Sequence, residues 1–186
     1  MISDKIRVGV IGLGYLGKFH YQKYKANKLV NLTSIADTNI ANHSHVKEKS
    51  VSKFKKYQDI VDCVDAVSIV TPTSTHFTIA KYFLEKNIHV LLEKPMTETV
   101  AQAKKLNNIA KKNNCILQIG HLEQFNPAIR EIRKSNCNPQ FIEVHRLCQF
   151  NSRANDVDVV LDLMIHDIDI VLSLVNKPIK NIEVSG

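Results

Sequence analysis

The chain has 186 residues, is 44% hydrophobic, and carries a formal net charge of +7, from 25 lysines and arginines against 18 aspartates and glutamates. This length and apolar content are enough to bury the core of one or two domains, so we expect a folded, soluble protein. The apolar runs are strand-sized or interrupted by charge, and the N-terminus has an acid and a base just before a short apolar run. Both features argue against a membrane span and a signal peptide, and they favour a cytoplasmic protein.

Neither the cysteines nor the positive charge indicates a metal site or a nucleic-acid interface. The cysteines are scattered without a C-x-x-C pair, so we expect reduced thiols and neither a disulfide framework nor a zinc site: Cys63, Cys115, Cys137 and Cys148. The lysines are spread over predicted helix surfaces without aromatic interleaving, so we expect no nucleic-acid partner. An anionic small-molecule ligand also suits such a surface.

From Lys5 to Gly120 the pattern alternates strands with helices, which is typical of parallel β-α-β units. Strands are predicted at residues 6–12, 30–37, 65–71, 88–94 and 115–120, with a plain connection at 53–61. Helices are predicted at 15–27, 39–49, about 75–87 with Ser74 or Thr75 as N-cap, and 97–113 with Thr97 as N-cap. Right-handed crossovers would join the strands into one parallel sheet, which gives a doubly wound α/β fold.

Beyond Gly120 the pattern changes, and we predict a second domain over residues 121–186. A loop and helix are expected at 121–136, a long strand at 139–150, a helix at 159–175 and the start of another strand at 180–186. We expect this to be an incomplete α/β domain, because the sequence stops as a strand begins.

The stretch GLGYLG follows the first predicted strand and has the G-x-G-x-x-G spacing. Gly12 permits a tight turn, Gly14 lets the backbone approach a pyrophosphate, and Gly17 lets helix and strand pack closely. Asp37 ends the second strand, 20 residues after Gly17, where a carboxylate binds ribose hydroxyls and repels a 2′-phosphate. The spacing predicts a Rossmann domain that binds NAD through Gly12, Leu13, Gly14, Tyr15, Leu16, Gly17 and Asp37.

Other polar stretches follow predicted strands, namely TPTSTH (71–76), EKP (93–95) and GHLEQFNP (120–127). The carboxyl ends of parallel strands are where open α/β sheets bind ligands, so we expect one crevice. Lys94 ends an apolar strand and precedes Pro95. Its ammonium could hold a substrate hydroxyl beside a nicotinamide and stabilise negative charge, although an ordinary surface lysine is the alternative.

The aliphatic stretch VVLDLMIHDIDIVLSLV contains one polar stripe. At 100° per residue, Asp162, His166, Asp169 and Ser173 lie on one side, so we expect a mostly buried helix whose stripe lines a substrate pocket. Asp162 can orient His166 across one helical turn, and His166 can accept an alcohol proton. A structural Asp–His pair is the alternative, and a metal site is disfavoured because no second ligand cluster accompanies it.

Taken in order, GLGYLG, Asp37, TPTSTH, EKP and LDLMIHDID resemble the Gfo/Idh/MocA oxidoreductases. The resemblance implies a Rossmann domain joined to an α/β domain whose open sheet forms a homo-oligomer interface when it is complete. It also implies NAD- or NADP-dependent oxidation or reduction of sugars and cyclitols. In that family pattern Lys94 is the E-K-P lysine, and Asp162 and His166 form the D-x-x-x-H pair, with His166 the acid/base. The cofactor would further contact Thr71, Pro72, Thr73, His76 and Glu93, together with Lys94.

The stretches GHLEQFNPA and DVVLDLMIHDIDIVL look especially like the branch of the family that oxidises the 3-hydroxyl of UDP-N-acetylglucosamine, a step toward lipid A. This likeness implies a nucleotide-sugar substrate contacted by His121, Glu123, Phe125, Asn126 and Asp162. Two alternatives stay open, a truncated NAD-binding remnant or split subunit, and a dehydrogenase of inositol or a simple sugar.

Overall fold

The computed structural model describes residues 5–135, 138–147, 158–175 and 177–185. The chain divides into two compact units, Met1–Gly120 and His121–Gly186.

A six-stranded sheet forms the centre of the first unit. The strands are β1 (Ile6–Ile11), β2 (Val30–Ala36), β3 (Ser52–Phe54), β4 (Ala66–Ile69), β5 (His89–Leu92) and β6 (Leu117–Ile119). They lie in the order β3-β2-β1-β4-β5-β6, and every neighbouring pair is parallel. The predicted doubly wound α/β fold is therefore confirmed. The strand order reverses between β1 and β4, which is where such sheets open a crevice.

Three helices pack against this sheet, namely α1 (Tyr15–Ala26), α2 (Thr73–Leu84) and α3 (Val100–Lys112). Successive side chains of a strand point to opposite faces, so the neighbours Val10 and Ile11 of β1 belong to two different buried clusters. Phe83 of α2 and Leu106 of α3 are fully buried in the same cluster as Ile11. Both faces of β1 are thus covered, which accounts for its continuous apolar sequence.

The segment between β2 and β4 differs from the prediction. The helix predicted at 39–49 is only a short 3₁₀ helix, Ile40–His45. The Asn39 side chain accepts a hydrogen bond from the Ala41 amide, and such local side-chain bonds favour turns over long helices. In place of the connection predicted at 53–61, the structure has β3 followed by a 3₁₀ helix, Tyr57–Cys63. The sequence did not reveal β3, because a three-residue edge strand is too short to show an alternating pattern.

Both predicted helix caps were wrong. Helix α2 begins at Thr73 after Pro72 without a side-chain cap, and the Thr75 hydroxyl instead donates to the Pro72 carbonyl at 2.7 Å. Helix α3 begins three residues later than predicted, because Thr99 rather than Thr97 accepts the capping bond, from the Gln102 amide at 3.3 Å. The Thr97 hydroxyl donates to the Thr99 carbonyl instead, at 2.9 Å.

The second unit contains a 3₁₀ helix, Leu122–Phe125, helix α4 (Pro127–Lys134), a π-helical turn, Val160–Met164, and helix α5 (Ile165–Val175). The two helices predicted here are confirmed. The predicted strands are wrong for residues 139–147 and 180–185, which pair with no strand in the described part of the chain, and residues 148–150 and 186 lie outside it. The expectation of a buried late helix is also wrong, because neither its π-helical turn nor α5 has a buried residue.

Within the described ranges no helix is long and apolar enough to cross a membrane. Cys63 and Cys115 are free thiols, and burial raises the pKa of Cys115.

At the amino edge of the sheet, Arg7 of β1 is paired with Asp65, which precedes β4. The guanidinium lies 2.7 Å from the carboxylate, and the Arg7 backbone amide donates to the same carboxylate at 2.8 Å. These hydrogen bonds, with the side-chain bonds from Arg7 the largest cause, lower the pKa of Asp65 below its ordinary value.

We expect Asp65→Asn to lower the melting temperature by roughly 2 °C at neutral pH, since half-exposed pairs contribute little. A carboxylate with a lowered folded pKa stabilises the protein above its unfolded pKa, and that stability is lost as pH falls through the folded pKa. The difference between wild type and variant should therefore shrink as pH falls below about 4. Thermal unfolding at several pH values measures this, with the exposed Asp59→Asn as control. A difference independent of pH would contradict the assignment.

Candidate cofactor and active site

A crevice of about 590 Å³ lies where the carboxyl ends of β1, β2 and β4 meet. Of the three polar stretches expected to share one crevice, TPTSTH (71–76) lines it, through residues that include Thr71 and Pro72, whereas no residue of 93–95 or 120–127 does. Gly12, Gly14 and Asp37 also line it, as predicted. Its volume lies within the usual range of cofactor sites. The lining residues missed from the sequence include Asn42 and Lys55, because their segments show no motif.

Each glycine of the first turn has its own structural reason. Gly12 has a φ of +85°, and a Cβ there would lie 2.4 Å from the Val70 carbonyl oxygen. A Cβ on Gly17 would lie 1.9 Å from the Gly12 carbonyl oxygen, so only glycine lets α1 pack this closely. Around Gly14 no atom of the described structure lies within 4 Å of a Cβ, so the crevice-lining backbone is open there. Helix α1 begins at the next residue, and the first amides of a helix are free to bind an anion.

The carboxylate of Asp37 joins the end of β2 to the glycine turn. One oxygen accepts hydrogen bonds from the Leu13 amide at 2.6 Å and from the Asn42 side chain at 3.0 Å. The other accepts from the Asn39 amide at 2.8 Å. Asp37 is therefore held in a fixed orientation at the crevice. Each carboxylate oxygen has two acceptor sites, so capacity remains for a ligand.

The other predicted residues of the glycine turn are placed differently. Leu13 is fully buried in the core, so only its backbone can serve the site. Tyr15 and Leu16 are exposed at the start of α1, and the Tyr15 ring contacts Phe19 edge to face.

The stretch after β4 supplies lining and support. The Thr71 and Thr75 hydroxyls are 2.7 Å apart, and both residues line the crevice. Thr73 and His76 are buried instead. His76 is 1% exposed, with Nδ1 2.9 Å from the Pro95 carbonyl oxygen and Nε2 2.8 Å from that of Thr71. The structure thus places His76 beneath the loop that lines the crevice.

Glu93 and Lys94 form the turn after β5. Glu93 is 7% exposed, and its carboxylate lies 2.9 Å from Nε2 of His20. Lys94 is half-buried and is joined to Pro95 by a cis peptide bond. The contact with His20 was missed from the sequence, although a histidine three residues after Gly17 lies on the inward face of α1, which was a usable signal.

In the second unit, the structure brings Asp169 to the loop before α4. The Gln124 amide donates to the Asp169 backbone carbonyl at 3.1 Å and also to its carboxylate. Nδ1 of His121 lies 4.0 Å from that carboxylate. Asp167 is a charged residue among the apolar side chains of α5, and its carboxylate lies 2.7 Å from the Arg146 guanidinium.

The remaining predicted substrate residues lie near the start of α4. The Asn126 side chain caps α4 by accepting from the Ala128 amide at 3.0 Å, and it donates to the Glu123 carboxylate at 3.0 Å. Phe125 is 65% exposed, so its ring is available to a ligand. Asp162 lies in the π-helical turn, and His166 follows within α5. Nowhere in the described ranges do three histidine, cysteine, aspartate or glutamate side chains form a group that could hold a metal ion.

Comparison with known proteins gives consistent matches. The family model described as "Oxidoreductase family, NAD-binding Rossmann fold" (GFO_IDH_MocA) matches residues 6–121. A UDP-N-acetylglucosamine 3-dehydrogenase from Acidithiobacillus ferrooxidans is 41% identical over 171 residues, which are 91% of this chain and 54% of that protein. A solved structure of this enzyme from the same organism has a TM-score of 0.86 at 40% identity, covering 95% of this chain and 58% of that one.

A scyllo-inositol dehydrogenase from Lactobacillus casei, solved with bound NAD(H) and scyllo-inositol, shares the fold. Its TM-score is 0.75 at 22% identity, over 92% of this chain and 56% of that one. The chain thus spans little more than half the length of these relatives. Because the family model covers residues 6–121, including the crevice and its glycine turn, the chain belongs to the Gfo/Idh/MocA oxidoreductases, a family with an NAD-binding Rossmann fold.

Proposed function

We propose that the protein is an NAD-dependent dehydrogenase that oxidises the 3-hydroxyl of UDP-N-acetylglucosamine. The observation that carries this proposal is the 41% identity to a UDP-N-acetylglucosamine 3-dehydrogenase over 91% of the chain. An inositol 2-dehydrogenase from Rubrobacter xylanophilus matches 99% of the chain but is only 27% identical, which makes an inositol substrate the weaker alternative.

The crevice fits NAD. Gly14 leaves space where a pyrophosphate would approach the start of α1, and Asp37 presents a carboxylate that suits two ribose hydroxyls better than a 2′-phosphate. We assign Gly12, Gly14, Asp37, Thr71 and Pro72 to direct contact. The bound cofactor would supply a hydride acceptor.

Lys94, His166 and Asp162 are the proposed catalytic residues. The Lys94 ammonium, at the carboxyl end of β5, stabilises negative charge on the substrate oxygen. His166 accepts the proton of the substrate hydroxyl, because the pKa of a free imidazole lies near neutral pH. Asp162, four residues earlier, orients His166 and the substrate.

The nucleotide sugar is assigned to the loop that begins the second unit. His121, Glu123, Phe125 and Asn126 are the proposed contacts, and the exposed Phe125 ring suits stacking against a base or sugar. A uridine diphosphate also suits the net charge of +7. The resulting ketone is a substrate for an aminotransferase, which agrees with a cytoplasmic role in making amide-linked lipid A precursors. A homo-oligomer formed through a completed second-domain sheet is part of the same proposal.

The test is NADH formation with UDP-N-acetylglucosamine, measured beside free N-acetylglucosamine and inositol. We expect turnover only with the nucleotide sugar. We expect His166→Asn to lower kcat by about 10²-fold to 10⁴-fold, with NAD binding unchanged, because the proton acceptor is lost. The exposed His45→Asn is the matched control and should keep full activity. Unchanged turnover in the His166 variant would refute its role. NAD binding without turnover of any substrate would favour a nucleotide-binding subunit.

A further inference from the structure

Two imidazoles contact the Glu93–Lys94–Pro95 turn from different helices. His20 of α1 places Nε2 2.9 Å from the Glu93 carboxylate, just before Lys94. His76 of α2 places Nδ1 2.9 Å from the Pro95 carbonyl oxygen, just after it. Lys94, which carries the proposed catalytic ammonium, therefore lies between two residues that each contact an imidazole.

The opposite nitrogen of each ring is anchored near β4. Nδ1 of His20 lies 2.7 Å from the hydroxyl of Ser68, which is fully buried in β4. Nε2 of His76 lies 2.8 Å from the carbonyl oxygen of Thr71, shortly after the same strand. Each imidazole thus bridges the turn after β5 to the neighbouring strand or the loop that follows it.

The Glu93 carboxylate has little freedom to move. Its second oxygen accepts from the Lys94 amide at 3.3 Å, and a Cβ on Gly120 would lie only 2.8 Å from the oxygen that faces His20. A buried carboxylate is costly without hydrogen bonds, so the imidazole of His20 stabilises the turn in this conformation.

We propose that His20 and His76 are positioning residues that fix the backbone of Lys94 and so direct its ammonium. The functional consequence rests on the proposed role of Lys94 at the substrate oxygen. Displacing a catalytic group by about 1 Å can cost 10²-fold in rate, so a turn fixed at both ends has a direct catalytic value.

Paired substitutions separate this role from simple packing. An asparagine amide reaches roughly the position of Nδ1, and a glutamine amide roughly that of Nε2. His20→Gln therefore keeps the contact with Glu93, and His20→Asn keeps only the one with Ser68. For the second histidine, His76→Asn keeps the contact with Pro95, and His76→Gln keeps only the one with Thr71.

The experiment measures hydrogen exchange of the Lys94 amide by NMR in the full chain, together with kcat and the NAD dissociation constant. We expect His20→Asn and His76→Gln to raise the exchange rate and lower kcat by about tenfold each, the effect of losing one buried hydrogen bond. His20→Gln and His76→Asn should stay within about threefold of wild type, with equal melting temperatures and NAD affinity within each pair. Equal exchange rates within both pairs would overturn the proposal.

Failure of the proposed function can be distinguished from failure of the positioning role. If the wild type binds NAD but oxidises no nucleotide sugar, the proposed function fails, while the exchange contrast at Lys94 still decides the positioning role. If the variants of one histidine do not fold, the pair at the other histidine decides the proposal. Faster Lys94 exchange in His20→Asn than in His20→Gln, or in His76→Gln than in His76→Asn, supports the proposal, and equal rates within the folded pair contradict it.

Discussion

A Gly17→Ala variant is expected to lose about 3 kcal/mol of unfolding free energy and most of its NAD affinity. The added methyl carbon would lie 1.9 Å from the Gly12 carbonyl oxygen and 2.8 Å from its carbon. Both are backbone atoms of the turn, so no side-chain rotation can relieve the overlap. Helix α1 must move away from β1, which opens the turn that lines the crevice.

Gly14→Ala is the matched control, because it adds the same methyl group two positions after Gly12. Within the described structure nothing lies within 4 Å of that methyl, and Gly14 has a φ of −64°, which alanine adopts readily. We expect its stability to stay within about 1 kcal/mol of wild type, while NAD affinity falls about tenfold because the methyl occupies the approach of the pyrophosphate. Urea unfolding and NAD titration measure both effects. A Gly17→Ala protein as stable as wild type would contradict this account.

The sheet was predictable because buried parallel strands leave a continuous apolar signal. The strand expected at 65–71 is β4 (Ala66–Ile69), which is buried on both faces and therefore has no polar alternation to mislead the assignment. β3 gave no such signal, because it has three residues at the edge of the sheet. In the second unit, periodicity gave the helix at 159–175 but not its burial. A pattern defines which face of a helix is apolar and carries no information about what covers it.

The site was predictable to the extent that it is local in sequence. The spacing from Gly12 to Gly17 and on to Asp37 reflects one βαβ unit, and residues of this unit line the crevice. Helical spacing indicates that His20 faces inward, but it predicts neither that Glu93 is its partner nor that the Glu93 carboxylate is buried. Both features depend on how α1 lies against β4 and β5, which a single sequence does not specify.

Asp37→Asn is expected to reduce the preference for NAD over NADP by about 10-fold to 100-fold. In the wild type the Leu13 amide lies 2.6 Å from the carboxylate, and the substitution keeps one oxygen to accept this bond, so the glycine turn should stay closed. The bond from the Asn39 amide to the other oxygen is lost, because the new side-chain NH2 group cannot accept it. The substitution also removes the negative charge of the carboxylate. In the wild type this charge strengthens hydrogen bonds to ribose hydroxyls by roughly 1 to 2 kcal/mol and repels a 2′-phosphate. NAD should therefore bind more weakly and NADP more tightly.

Dissociation constants for both cofactors at low and high salt measure this effect. In the wild type, salt should narrow the preference, because it screens the repulsion between the Asp37 carboxylate and the 2′-phosphate. In Asp37→Asn the preference should respond less to salt, while the exposed Asp59→Asn should behave like wild type. If the preference survives in Asp37→Asn, repulsion by this carboxylate does not select the cofactor.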